Sequence, residues 1–125
     1  MAAPSPRLIA VVGPTAAGKS ALALGIAREA DAEIVSCDSL QVYRGLDIGS
    51  AKPTKEERDV VPHHLIDVVD PDESFSAADY ARLGRQALAS IASRARISVV
   101  VGGTGLYLQA LLFGLFEGPG RNPTL

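Results

Sequence analysis

The sequence predicts an α/β fold with a mostly parallel sheet. Three observations predict it. Apolar runs without polar alternation recur, LIAVV at residues 8–12 and ISVVV at 97–101, as in strands buried on both faces. Segments with helical spacing of apolar residues separate such runs. The first run also leads into a helix-forming segment through Gly13-Pro14-Thr15-Ala16-Ala17-Gly18-Lys19-Ser20.

That stretch fits the phosphate-binding pattern G-x-x-x-x-G-K-[ST], with a strand before it and a helix after it. Glycines let the backbone bend around an anion and turn its N–H groups inward. The helix that follows presents unpaired N–H donors and the positive end of its dipole. Lys19 adds a mobile full charge, and the Ser20 hydroxyl is placed to ligate magnesium. Residues 13–20 are therefore the expected diphosphate- or nucleotide-binding loop. The fold is expected to be P-loop NTPase-like, a sheet between two helical layers.

The elements follow in order. Residues 8–12 are expected as a central strand. Residues 19–30 are expected as a helix with Leu22, Ile26 and Ala30 on one face and with Gly25 as a mark of close packing on the sheet. Residues 33–37, EIVSC, form a second strand, and residues 41–55, broken by Gly45, Gly49 and Pro53, form loops and short turns. Residues 65–69 are expected as a strand, and residues 71–74 as a turn. Ser76 and Asp79 resemble a helix-starting capping pair, followed by Tyr80, Leu83, Ala87 and Ile91 at helical spacing. The strand at 97–101 stops at Gly102-Gly103. Thr104 then caps a helix to about Phe113, and residues 114–125 are irregular.

Length and composition set bounds. The chain has 125 residues, enough for one domain, and a formal net charge of −2, which gives no argument for nucleic-acid binding. The single cysteine, Cys37, rules out an intrachain disulfide and reads as a small buried apolar residue. No apolar stretch approaches the roughly 20 residues that span a bilayer. Residues 1–6 are short, Pro-rich and without signal-peptide architecture. No membrane association and a cytoplasmic location are the expectation.

Ligands of open parallel sheets sit beyond the carboxyl ends of the strands. Lys19 and Ser20, Asp38, and Gly102, Gly103 and Thr104 all follow strand ends, so they should converge on one edge of the sheet. Asp38 is there either as a proton acceptor, as a water-mediated magnesium ligand, or as a turn cap. Gly102-Gly103 allows close backbone approach to a ligand, and the Thr104 hydroxyl either donates to a phosphate or caps a helix. His63 and His64, on opposite faces of a strand, read as structural. Arg82, Arg85, Arg94 and Arg96 read as a solvated face. The strand at 97–101 ends in glycines rather than in an acidic magnesium residue, and Val68-Val69-Asp70 is a weak substitute. That favours a small-molecule kinase or a group-transfer enzyme over a motor.

GPTAAGKS, EIVSCDSLQVYRGLDIGSAKP, HHLID, SAADYAR and VVVGGTGLYLQALLFGL, in that order and with similar spacing, resemble the tRNA dimethylallyltransferase family. The likeness covers residues 7–118. It implies transfer of a dimethylallyl group from dimethylallyl diphosphate to N6 of the adenine beside the tRNA anticodon, with Mg2+. It implies that the loop holds the diphosphate, that Asp38 takes the N6 proton, and that Lys19 and Thr104 serve the diphosphate as further catalytic groups. Asp38, Ser39, Leu40 and Gln41 would line the adenine and tRNA side, and the full-length enzyme would be a monomer.

Family members are roughly twice this length or more. The resemblance therefore implies the N-terminal part of a transferase: a core at residues 1–118, an irregular end at 119–125, and a fold incomplete at its C-terminus. Two other readings stay open, a small-molecule kinase on the same fold and a non-catalytic remnant that binds diphosphate.

Overall fold

The structure, a computed structural model, describes residues 5–12, 17–45 and 52–116. Four strands form one parallel sheet in the order β1-β4-β2-β3: β1 is Leu8–Val12, β2 Glu33–Ser36, β3 His63–His64 and β4 Ser98–Gly102. The register pairs Ile9 with Val99, Ile34 with Val99 and Val35 with Val100. Helices α1 (Ala17–Ala30), α2 (Lys55–Val60), α3 (Ala77–Ser93) and α4 (Gly105–Phe116) complete the order β1-α1-β2-α2-β3-α3-β4-α4.

Strand alternation divides the core into two layers. Ile34 and Val99 face α1 with Val11, Ala23 and Ala27. Val35 and Val100 face the opposite way, with Tyr80, Leu88 and Ile91 of α3 and Tyr107 and Leu111 of α4. Tyr80 and Tyr107 stack with ring centroids 4.5 Å apart. A Cβ on Gly84 would lie 2.8 Å from Leu111 Cδ1, so the missing side chain lets α3 and α4 approach closely. The expected parallel α/β sheet between helical layers is what the chain forms.

Several elements differ from expectation. β1 is at an edge of the sheet rather than central, and Ile9 and Val12 are exposed. The buried face of α1 is Ala23 and Ala27, while Leu22 is 57% exposed. Small residues bring α1 onto the sheet, so the larger Leu22 falls on the outer side. Gly25 is exposed, and a Cβ there would meet nothing within 4 Å, so it marks no close packing. β2 ends one residue earlier than expected and β4 is shifted by one. Residues 65–69 are no strand, because Leu65 and Asp67 adopt φ of 67° and 58°, in the left-handed region. β3 lies just before them, and Val69 makes only an isolated bridge to Tyr43.

Helix α2 starts at Lys55, the last residue of the stretch expected as loops and turns, and runs through residues 56–60, for which no element was expected. Its capping box, Thr54 with Glu57, was legible in the sequence as T-x-x-E. The box at Ser76 and Asp79 opens α3 as expected. α4 runs to Phe116, so residues 114–116 are helical rather than irregular, and the irregular end at 119–125 lies outside the described residues. Among the described residues, no helix is long and apolar enough to cross a membrane.

Glu33 opens β2 at the amino end of the sheet and is 2% exposed. Arg94 donates to both its carboxylate oxygens (2.9 and 2.6 Å), His64 Nε2 lies 2.7 Å from Oε1, and Arg96 lies 3.4 Å from Oε2. Arg94 and Arg96 are therefore anchors for a buried carboxylate rather than members of a solvated face. The bond from Arg94, opposed by burial and helped by His64, holds the Glu33 carboxyl at about 2 instead of its ordinary 4.5. A depressed carboxyl pKa stabilises the fold above the unfolded value and loses that contribution as pH falls from about 4.5 toward 2. Half-exposed Arg94 is partly screened by solvent, so we expect the loss to be about 2 kcal/mol. Urea unfolding of the parent and of Glu33→Gln across this range checks it. Parallel acid profiles for the two would remove Glu33 as the source.

Candidate functional site

The carboxyl ends of β2 and β4 and the first turn of α1 open on one cleft of about 610 Å³, counting the open space at its mouth. Lys19 and Ser20 reach it from the first turn of α1, Ser36 and Asp38 from the end of β2, and Gly102 from the end of β4. Gln41, Pro53, Glu57, His63 and Ile66 close one side, and Ala23, Leu24, Ile34 and Val101 supply apolar lining. The predicted convergence is observed for Lys19, Ser20, Asp38 and Gly102, whereas Gly103 and Thr104 are not part of the cleft lining. Gly13, Pro14, Thr15 and Ala16 lie outside the described residues. Ala17 and Gly18 form the start of α1, whose N-terminal N–H groups are donors for an anion.

Asp38 occupies the turn after β2. Its Oδ1 accepts from the N–H groups of Leu40 (2.8 Å) and Gln41 (3.2 Å). This is the turn-capping arrangement that competes with a functional reading. It engages one oxygen only: Oδ2 makes no hydrogen bond among the described residues. One turn therefore both fixes the carboxylate and leaves an acceptor atom for a ligand proton.

Thr104 joins this turn to the end of β4. Its Oγ1 accepts the Ser39 N–H at 3.0 Å and lies 3.4 Å from Ser39 Oγ. Thr104 also stands at the N-cap position of α4, its carbonyl accepting the Leu108 N–H at 3.2 Å, while its hydroxyl bonds across the two strand ends. Gly102 makes its close approach to protein as well as bordering the cleft. A Cβ there would lie 2.0 Å from the Cys37 carbonyl oxygen. Cys37 is fully buried, and burial pushes its thiol up to about 11, which fits an inert apolar residue.

Ser36 was not singled out in the sequence. Its Oγ donates to Gln41 Oε1 at 2.7 Å, and its carbonyl accepts the Tyr80 hydroxyl at 2.8 Å. Ser36 is 1% exposed, so it aims the Gln41 amide from inside the core. Leu40 is exposed at the rim. The two histidines face apart, as strand alternation requires: His64 meets Glu33, and His63 lines the cleft. His63 Nδ1 lies 2.7 Å from the Val61 carbonyl, which can only accept, so Nδ1 carries the proton. Burial lowers the His63 pKa, with nearby Arg58 adding to the effect, and this keeps the ring neutral.

Asp67 lies behind this side wall. Lys52 Nζ is 2.6 Å from its Oδ1 and Arg58 is 3.2 Å from its Oδ2. Burial acts to raise its pKa, but the bonds from Lys52 and Arg58 outweigh burial and lower it. No group of three or more His, Cys, Asp or Glu that could hold a metal occurs among the described residues.

The IPP transferase family model matches residues 41–125. The chain is 58% identical over 119 residues to the tRNA dimethylallyltransferase of Anaeromyxobacter dehalogenans, covering 95% of this chain and 39% of that protein. It is 62% identical over 114 residues to tRNA dimethylallyltransferase 1 of Syntrophotalea carbinolica, covering 91% and 36%. The solved full-length tRNA isopentenylpyrophosphate transferase of Bacillus halodurans superimposes with a TM-score of 0.83 at 49% identity, over 93% of this chain and 38% of that one. A eukaryotic dimethylallyltransferase acting on tRNA gives 0.78 at 33% identity, over 94% and 28%. The chain thus spans about two fifths of the length of the curated relatives it matches. The family model covers more than half of the sequence, and on that ground the chain belongs to the IPP transferase family.

Proposed function

We propose that this chain forms the diphosphate-binding and proton-accepting part of an enzyme of tRNA modification. The enzyme transfers a dimethylallyl group from dimethylallyl diphosphate to N6 of the adenine beside the anticodon. The observation that carries this reading is the pairing, in one cleft, of the α1 N-terminus bearing Lys19 and Ser20 with an Asp38 oxygen that has no partner among the described residues. The names of the relatives support it.

The chemistry follows from these groups. The C1–O bond of the allylic diphosphate breaks, its electron pair leaving with the diphosphate. The adenine N6 lone pair forms the new bond to C1, and the N6 proton passes to Asp38 Oδ2. Charge grows on the departing diphosphate, where Lys19 and the α1 N–H groups stabilise it. In this reading Thr104, bonded to the same turn through Ser39, serves that diphosphate, and Ser39, Leu40 and Gln41 face the incoming base. The target base must leave its stack to reach Oδ2.

Mg2+ fits the donor set. One hydroxyl, that of Ser20, with the remaining sites from substrate phosphates and water is how this ion is commonly held. Its charge would offset that of the diphosphate. The net charge of −2 offers little attraction to RNA phosphates, so we assign the grip on the anticodon stem to parts of the longer relatives that this chain does not cover.

Titration calorimetry with inorganic pyrophosphate and Mg2+ tests the site. Lys19→Ala should weaken binding about a hundredfold, since it removes a full charge from a charge-assisted contact. Equal affinities for parent and variant would sink the loop assignment. Phosphate transfer from ATP to a small acceptor would instead favour the kinase reading.

A further inference from the structure

We propose that Asp67 is a positioning residue that holds the side wall of the cleft closed and thereby limits the length of the apolar group carried by the diphosphate. This deepens the proposed function and rests on it for the identity of the ligand.

The wall is the segment carrying Pro53 and Glu57, both of which line the cleft. A cation brackets it at each end, Lys52 before Pro53 and Arg58 after Glu57. Both reach the same carboxylate and take one oxygen each. The Lys52 side chain is only 8% exposed, so solvent screens its ion pair little. Lys52 Nζ also donates to the Tyr43 carbonyl at 2.8 Å. The backbone of Asp67 reaches in the other direction, its N–H donating to the Gln41 carbonyl at 2.9 Å. Asp67 therefore ties together the wall segment, the segment at Gln41 and its own neighbour Ile66, all of which border the cleft.

The backbone gives an independent reason. Leu65 and Asp67 both lie in the left-handed region. Asp tolerates that region, whereas Leu there stores strain of a kind that persists only where surrounding contacts over-determine it. The ion pairs of Asp67 and the burial of Leu65 and Ile66 supply such contacts.

The wall stands on the β3 side, where Ile34 pairs in register with His63 and where Leu24 and Ile66 add apolar surface. Such lining suits a short branched hydrocarbon rather than a second polar group. With the wall held in place, the expected consequence is a preference for a five-carbon over a ten-carbon chain.

Asp67→Asn is the test. Asn also tolerates the left-handed region and keeps the shape, but it loses the charge and an acceptor for Arg58. Two readouts apply. Hydrogen exchange of the ligand-free chain should speed up at residues 52–60 by about tenfold or more while the amides of α3 hold their rates. In calorimetry, pyrophosphate affinity should stay the same, while the preference for dimethylallyl over geranyl diphosphate falls by about tenfold.

A folded variant with unchanged exchange, or with unchanged preference, overturns the proposal. If Asp67→Asn does not fold, Arg58→Met removes one of the two cations and should show both effects at smaller size, and no change there is equally fatal. Should the unaltered chain bind none of the three diphosphates, the ligand reading fails, and the exchange readout still decides whether Asp67 clamps the wall.

Discussion

Replacing Gly102 by alanine should lower the stability of the chain by about 3 kcal/mol and abolish pyrophosphate binding. The new Cβ would stand 2.0 Å from the Cys37 carbonyl oxygen and 2.4 Å from its carbon. Both are backbone atoms, so no rotamer change relieves the clash. The contact is also locked from both sides: the Cys37 N–H donates to the Val101 carbonyl at 2.8 Å, and the Thr104 N–H donates to the Cys37 carbonyl at 3.2 Å. The chain must break one of these bonds or part the ends of β2 and β4, which carry Asp38 and Thr104. Chemical denaturation and calorimetry read the two effects separately. An alanine variant with the parent's midpoint would show that the strand ends can separate at little cost.

Removal of the Asp38 carboxylate should have the largest effect on the reaction. We expect Asp38→Ala, in a full-length family member carrying this segment in place of its own, to slow transfer by about a hundredfold to ten-thousandfold. Pyrophosphate affinity should change little, because Oδ1 serves the turn and, in the proposed function, the diphosphate is held from α1. Single-turnover rates with saturating tRNA separate the chemical step from binding. A parent-like rate would take the proton-accepting role away from Asp38. Loss of pyrophosphate binding together with the rate would mean that the turn, through Ser39 and Thr104, supports the anion site directly.

What the sequence conveyed, and what it did not, has physical reasons. The rule that ligands gather at strand carboxyl ends placed Lys19, Ser20, Asp38 and Gly102 together, because it depends only on element order. The capping pair at Ser76 was legible because it is local. The position of β1 was not legible. An apolar run reports that the faces of a strand suit burial, and it says nothing about which strands pair beside it. The left-handed conformations of Leu65 and Asp67 were equally hidden, because VVD and HLID read as apolar strand material until their tertiary contacts are known.

The Glu33 cluster shows the same limit. Arg94 and Arg96 look solvated along the chain, and only the fold brings them to a carboxylate 61 and 63 residues away. The one available signal was an acidic residue at the head of an otherwise apolar strand. Ser36 gave even less, since a serine at a strand end has many ordinary uses.

Two of the polar centres among the described residues stand at opposite ends of β2, Glu33 at its start and Asp38 just past its finish. Five residues of extended chain separate them by about 16 Å, beyond the range at which substitutions usually interfere. The chain meets the cleft from this cluster only through Ile34 and His63, the neighbours of Glu33 and His64, so robustness and chemistry are largely separable here. Strengthening the ionic cluster would supply a reserve of stability that changes around the cleft could draw upon, without altering the geometry on which those changes act. A search for new specificity in this scaffold is best begun from a variant reinforced at the far end of the sheet.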